Sequence, residues 1–338
     1  MLLLCFLFLH IKATATATPT ATATATAKEL VVYTSRKEHL IKDIFQQYTQ
    51  ETGVSIKYKT GSSAALIQTI KLEGQNSPAD IFMAVDAGSL WHATNENLLE
   101  KVNSGVLKIN VPNHLRDTQG TWYGLSIRAR TIVYNTKKVK ESELSTYENL
   151  AHKNWKNRLC LRTSKKVYNQ SLVAMLIYEL GLVKAKEVVA GWVDNTVEIF
   201  SNDTAVLKAI ASGQCDVGIV NTYYYGRLLK KDAKLPLKLF WPNQKDSYGV
   251  HINISGAGLL KNSKFKIAGL KFLEWLSSKK AQASFAQINM EYPLDFTVAQ
   301  SDETARWGKF KANTHFNLTH AGKLQKEAIK LMQEVKYK

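Results

Sequence analysis

The residues best placed to do chemistry are Tyr223, Tyr224 and Tyr225, three consecutive phenols within Asn221-Thr222-Tyr223-Tyr224-Tyr225-Gly226-Arg227. They follow Val217-Gly218-Ile219-Val220, an apolar run that reads as a buried strand. Adjacent tyrosines cannot all enter a core. In a strand they alternate faces, and at a strand end or helix start they fan out, so at least one hydroxyl must face a polar space. A second constellation is Arg128 and Arg130, two residues apart on one face of the segment 126–135. A surface strand carries such a pair harmlessly, whereas among buried strands the two guanidinium groups are candidates for anion contact. Signatures of enzymes are missing: there is no HExxH, GxSxG, GxxxxGK[ST] or CxxC. Gly256-Ala257-Gly258 lacks the third glycine of a dinucleotide turn, and His114, His152, His251 and His315 are scattered, as surface or satisfied core residues are. On these residues alone the tyrosine run fits either an aromatic patch at a hinge or a set of ligands.

The elements that must position these groups alternate regularly. Glu29-Leu30-Val31-Val32-Tyr33 reads as a strand, with Thr34 or Ser35 capping a helix through Leu40, Ile41, Ile44, Phe45 and Tyr48 that ends at Gly53. A strand over 54–58, a helix opened by Ser62 or Ser63 and a buried strand over 79–85 follow, which implies right-handed crossovers and a parallel sheet. The same logic recurs between residues 147 and 227. A strand over 158–161 precedes a helix opened by Tyr168-Asn169-Gln170-Ser171, and Asn202-Asp203-Thr204 caps another before the strand that delivers the tyrosines. Leu270, Phe272, Leu273, Leu276 and Phe285 mark one amphipathic helix beyond them. The fold class is α/β in two lobes with a site between them. The first lobe is expected over 28–125 and about 226–275, the second over about 126–225 and 276–338, with a helical, Lys-rich tail from Ala305.

Composition bounds the function. The 338 residues exceed what one core holds, and 45% hydrophobic with 22% charged residues is ordinary globular usage. The net charge of +17 is scattered, so it reads as a solvated basic surface and not as a nucleic-acid groove. Leu2-Leu3-Leu4-Cys5-Phe6-Leu7-Phe8-Leu9 is too short to span a membrane. An Ala-Thr repeat follows, and Ala25-Thr26-Ala27 has the form of a signal-peptidase site, so residues 1–27 read as a signal-like leader and linker. Cys160 and Cys215 admit one bridge, but two buried free thiols are the expectation.

Several stretches together carry a resemblance. They are the segment 31–36 (Val-Val-Tyr-Thr-Ser-Arg), Ser77-Pro78-Ala79-Asp80, Val85-Asp86-Ala87-Gly88, Leu115-Arg116-Asp117, Trp122-Tyr123-Gly124-Leu125-Ser126, Arg128-Ala129-Arg130, and Tyr168-Asn169-Gln170-Ser171. The Tyr223 run, Asn253-Ile254-Ser255-Gly256-Ala257-Gly258 and Glu291-Tyr292-Pro293 complete the set. From about Lys28 to Val298 the chain resembles the periplasmic ferric-iron-binding proteins of bacterial iron-uptake ABC transporters, which are type 2 extracellular solute-binding proteins. The resemblance implies a Venus-flytrap fold closing on Fe(III), with Tyr168, Tyr223 and Tyr224 as phenolate ligands and Tyr225 as a non-ligating neighbour. Where many relatives supply a His or Tyr from the first lobe, this chain reads Lys37-Glu38-His39. That resembles the subgroup in which an arginine-held carbonate completes the sphere. Arg36 and Arg128 or Arg130 would hold the anion, and Glu38 and His39 are further candidate ligands. Fe(III) is a hard ion that prefers oxygen anions, and arginines would offset the excess negative charge of three phenolates and carbonate. The implied partners are an ABC permease and its ATPase, for a monomeric protein exported to the periplasm or tethered at the cell surface. The competing readings are a same-fold binder of an organic anion, phosphonate, thiamine or polyamine, and an iron sensor.

Overall fold

The computed structural model describes residues 28–338; the signal-like leader expected over 1–27, Cys5 included, lies outside the described residues. Strand β1 (Glu29–Thr34) connects through α1 (Lys42–Thr52) to β2 (Ser55–Thr60), and β2 through α2 (Ser63–Glu73) to β3 (Ile81–Ala84). Both β2 and β3 lie parallel to β1, as the alternation predicts. Ile44, Phe45 and Tyr48 turn inward at helical spacing, and Gly53 ends α1 at φ 73°, a left-handed conformation that glycine adopts without strain. Ser62 caps α2 by accepting from the Ala65 amide at 3.2 Å. The start of α1 differs from the sequence reading. Thr34 Oγ1 accepts from the Arg36 amide at 3.0 Å and Ser35 Oγ from the Val85 amide at 3.1 Å, which ties this turn to β3. A short 3-10 turn, Glu38–Leu40, therefore precedes the helix.

The chain continues through α3 (Ala87–Asn95), α4 (Gly105–Asn110) and β4 (Tyr123–Asn135), then β5 (Leu159–Arg162), α5 (Val167–Leu180), α6 (Leu182–Asn195) and β6 (Thr196–Phe200). Next come α7 (Asp203–Ser212), β7 (Val217–Asn221), α8 (Thr222–Leu229), β8 (Leu237–Phe240) and β9 (Ile252–Leu259). The remaining helices are α9 (Lys266–Leu276), α10 (Lys279–Asn289), α11 (Asp302–Arg306), α12 (Thr319–Lys323) and α13 (Gln325–Glu334). The amphipathic helix expected over 270–285 is two helices, because Ser278 caps α10 by accepting from the Ala281 amide at 3.3 Å.

The strands lie in the order β2-β1-β3-β9-β4-β7-β5-β6, with β8 added on β4. The sheet is mixed, since β9 runs antiparallel to both β3 and β4. Gly256 and Gly258 permit this contact: a Cβ at Gly258 would lie 2.5 Å from the Thr121 carbonyl oxygen, and one at Gly256 would lie 2.7 Å from that of Tyr123. Strand β4 spans 13 buried residues and belongs to both halves of the sheet. Its residues 123–129 pair with β9, and residues 130–135 pair with β7 and β8. The lobe limits read from the sequence differ from this pairing in two places. β8, from the stretch given to the first lobe, pairs with the later half of β4, and α10, given to the second, packs on α1 and α9.

Phe82, Phe272 and Phe285 are fully buried in the main core, each contributing up to about 3 kcal/mol of transfer free energy. Among the described residues no helix is long and apolar enough to cross a membrane. The tail packs as helices, as expected: α12 lies on α3 and α5, and α13 on α5. Cys160 and Cys215 are joined in a disulfide, which corrects the expectation of free thiols. β5 and β7 are parallel neighbours with Cys160 opposite Gly218, so Cys215, just before β7, comes within a Cα separation of 5.9 Å.

Candidate metal centre

The tyrosine run is the first turn of α8, entered directly from the end of β7. At about 100° per residue the three rings must fan apart. Tyr225 is buried against Trp307, ring centroids 5.9 Å apart, and its hydroxyl donates to the Leu237 carbonyl at 3.4 Å. Tyr223 is 6% exposed and Tyr224 half-buried, and their tilted rings lie 4.5 Å apart. Tyr168 enters from the first turn of α5 and is half-buried. The Tyr223 hydroxyl accepts from Asn221 Nδ2 at 3.1 Å.

Guanidinium groups surround these phenols. The Arg128 Cζ lies 5.6 Å from the Tyr168 ring centroid, and the Arg162 Cζ lies 5.1 Å from Tyr168 and 5.9 Å from Tyr224. Arg227 stands 5.0 Å from the Tyr223 ring. Tyr168 is thus bracketed by one arginine from β4 and another from the end of β5. Burial pushes the Tyr223 hydroxyl well above the usual phenol range, the neighbouring Tyr168 and Tyr224 push it further, and Arg128 opposes them. Burial disfavours the charge on Arg128, but Tyr168, Tyr223, Glu291 and Asp86 outweigh that and leave it held above its ordinary value. The balance at Arg162 is similar, with Asp203 and Tyr224 on the favourable side.

The other residues singled out in the sequence lie as follows. Arg36 is 1% exposed and meets Glu291 in a two-pronged ion pair, both contacts 3.2 Å, while also donating to Ser255 Oγ. Arg130 donates to Asp203 at 3.1 Å, to Asn221 Oδ1 at 3.3 Å and to the Ile219 carbonyl at 3.0 Å. Arg128 reaches the Val85 and Ile254 carbonyls through Nη2. Glu38 and His39 are exposed on the 3-10 turn after β1, where Glu38 accepts from the Tyr58 hydroxyl at 2.9 Å. The sequence reading missed Arg162 and Asp203, which form a buried ion pair of 2.6 Å. Their signals were available: a charged residue closing a buried parallel strand, where ligands gather in α/β folds, and an acid in the first turn of α7.

Among the described residues no group of three or more His, Cys, Asp or Glu could hold a metal ion. A metal here would therefore rest on phenol oxygens, a donor set for a hard, highly charged ion, with the guanidinium groups compensating surplus negative charge.

Known proteins are similar to this chain over nearly its whole length. Iron uptake protein A1 of Synechocystis is 39% identical over 318 residues, covering 92% of this chain and 88% of the relative. The structure of Trichodesmium IdiA (FutA) in complex with iron and citrate superposes with a TM-score of 0.86 at 40% identity, covering 92% of this chain and all of the other, 100%. The ferric iron-binding protein A of Mannheimia haemolytica, in an open conformation, gives 0.86 at 33% identity, with coverages of 92% and 99%. These neighbours share the two-lobe periplasmic binding-protein fold expected from the sequence. The profile of the bacterial extracellular solute-binding proteins matches residues 43–312, and the chain belongs to that family of transport proteins, not to an enzyme class.

Proposed function

We propose that this protein captures ferric iron through the phenolate oxygens of Tyr168, Tyr223 and Tyr224 and delivers it to an ABC permease driven by its ATPase. The observation that carries this reading is the convergence of two tyrosine-bearing helix starts under shared guanidinium groups, with Arg162 within 6 Å of both the Tyr168 and the Tyr224 ring centroids, at 5.1 and 5.9 Å. Three phenolates neutralise Fe(III), and the metal supplies the driving force for removing protons that burial holds on Tyr223. A small arginine-held anion, carbonate in the first instance, completes the sphere. Arg128 faces it, Arg36 and Arg130 are fixed in ion pairs behind it, and Glu38 and His39 are the first-lobe groups available to close over the iron. Similarity to proteins named for iron uptake and ferric binding supports the reading. The protein works outside the cytoplasm, as a monomer, with the leader either removed or kept as a tether.

The direct test is colour. Purified protein loaded with Fe(III) at neutral pH in bicarbonate is expected to show a visible phenolate-to-iron charge-transfer band. Tyr223→Phe and Tyr224→Phe should each abolish or strongly shift it, whereas Tyr225→Phe should keep it. A colourless wild-type protein without ferric affinity would sink the proposal.

A further inference from the structure

Residues 162–169 carry Arg162, at the end of β5, and Tyr168, in the first turn of α5. The turn between them lacks a side-chain cap: Lys166 stands at the N-cap of α5, and a lysine offers no acceptor to the orphan amides of a helix start. Thr163 and Ser164 are half-buried, Lys165 and Lys166 exposed, so little packing holds the turn in place. It is held instead from 175 residues away in the sequence, by Tyr337. The Tyr337 hydroxyl donates to the Arg162 carbonyl at 2.7 Å and accepts from Asn169 Nδ2 at 3.0 Å, and Asn169 Nδ2 also donates to the Arg162 carbonyl at 2.7 Å. These three groups close a triangle across the two ends of the turn. A second hook runs from main chain to main chain, the Ser164 amide donating to the Lys338 carbonyl at 2.8 Å.

Tyr337 reaches this place because of how α13 ends. Lys336 takes a left-handed conformation at φ 58°, its amide donates to the Gln333 carbonyl at 3.0 Å, and the Tyr337 amide donates to the Met332 carbonyl at 2.8 Å. That pair of bonds is the Schellman closure of a helix. It leaves Lys336 and Lys338 exposed and turns Tyr337 inward, 4% exposed. Burial pushes the Tyr337 hydroxyl above the usual phenol range, so it stays a donor at neutral pH.

Resting on the ferric reading above, we infer that Tyr337 is a positioning residue of the iron centre, which fixes the turn 162–169 and through it the approach of Tyr168 to the metal without touching the metal itself. Site geometry of this kind depends on support from behind the ligating side chain. The tail thereby gains a role at the centre in addition to its packing on α5.

Loss of a buried tyrosine hydroxyl lowers stability whether or not it positions a ligand, so the experiment carries a matched control. Wild type is compared with Tyr337→Phe and with Tyr123→Phe, which removes the same kind of bond, a buried tyrosine hydroxyl on the Val102 carbonyl at 2.8 Å, in the half of β4 that pairs with β9. Urea titration of the iron-free proteins establishes that each is folded and by how much each is weakened. Amide hydrogen exchange of residues 163–169 in the iron-free protein, read by mass spectrometry, should be about fivefold faster in Tyr337→Phe and unchanged in Tyr123→Phe. Ferric affinity in bicarbonate should fall by about fivefold, with a shifted phenolate-to-iron band, in Tyr337→Phe alone. Asn169→Ala, which removes another corner of the triangle, should give the same pattern, and the double variant should lose less than the sum of the two. Wild-type exchange over 163–169 in Tyr337→Phe overturns the brace, as do fully additive losses. Wild-type affinity and band in Tyr337→Phe, or an equal loss in Tyr123→Phe, reduces Tyr337 to a stabilising residue and overturns the inference. Failure of wild type to take up iron, with the exchange difference intact, strikes the ferric reading and leaves Tyr337 as the brace of this turn.

Discussion

At the scale of single residues, the centre is built from groups whose preferred charge states oppose one another until a cation arrives. Tyr223 keeps its proton because burial disfavours phenolate and because Tyr168 and Tyr224 stand beside it, while Arg128 pulls the other way. Since its value is raised, the whole neutral and acidic range lies on the protonated side, and on the proposed reading a ferric ion would have to displace that proton. Affinity should therefore fall on acidification, by about tenfold per pH unit for each phenol proton displaced. Competition against a calibrated chelator between pH 7.5 and 6.0 measures this, and a flat profile would remove the phenolates from the mechanism. The tyrosines could be singled out from sequence because three adjacent phenols after an apolar run cannot all enter a core, although the run alone fitted an aromatic patch as well as a ligand set. The division of labour among arginines could not be, since Arg36, Arg128, Arg130 and Arg162 look alike in a string and differ only in which carboxylates and carbonyls reach them.

At the scale of elements, β5 and β7 are the struts beneath the site: β5 ends in Arg162 and leads to Tyr168, and β7 leads to Tyr223 and Tyr224. The Cys160–Cys215 disulfide joins them across a separation of 55 residues, for which loop-closure entropy gives a stabilisation of about 4 kcal/mol. Cys160→Ser with Cys215→Ser is expected to lower the unfolding free energy of the iron-free protein, read from urea titration, by an amount of that order, and an unchanged urea midpoint would show the bond to be dispensable. The β-α-β unit was readable because apolar spacing changes from two to 3.6 within it. The antiparallel insertion of β9 was not, because a Gly-Ala-Gly stretch has no periodicity and its meaning depends on the carbonyls of Thr121 and Tyr123 from a distant segment.

At the scale of the whole molecule, the two halves meet along a buried polar chain. Asn253 on β9 donates to Asp86, at the start of α3, and to Ser171 on α5, both at 2.9 Å, and Ser171 Oγ lies 3.0 Å from His251 Nε2. Burial, reinforced by Arg130 and Arg128, lowers the His251 value from 6.5 to about 3. A histidine kept neutral in the fold contributes stability that is complete above 6.5 and is lost as pH falls toward 3. Between pH 6.5 and 4.5 that amounts to about 2–3 kcal/mol. Urea titrations of the iron-free protein should show His251→Gln to be less acid-sensitive than wild type by about this margin, and parallel pH profiles would clear His251 of the effect. The two-lobe plan was legible from repeated α/β alternation, whereas the exact seam was hidden because β4 runs through it without a break.

That unbroken strand decides how the molecule can move. A pair of flexible linkers would let two lobes swing freely, but β4 passes from one half to the other with its ladder continuing from β9 to β7, and the Arg130 amide still donates to the His251 carbonyl at 3.0 Å at the crossing. Relative motion of the halves would then be a twist distributed along a hydrogen-bonded ribbon, as in a torsion wire, with a restoring force. A ribbon of that kind needs no latch, and on the proposed ferric reading uptake and discharge would be governed by the chemistry at the phenols and not by the breaking of a hinge.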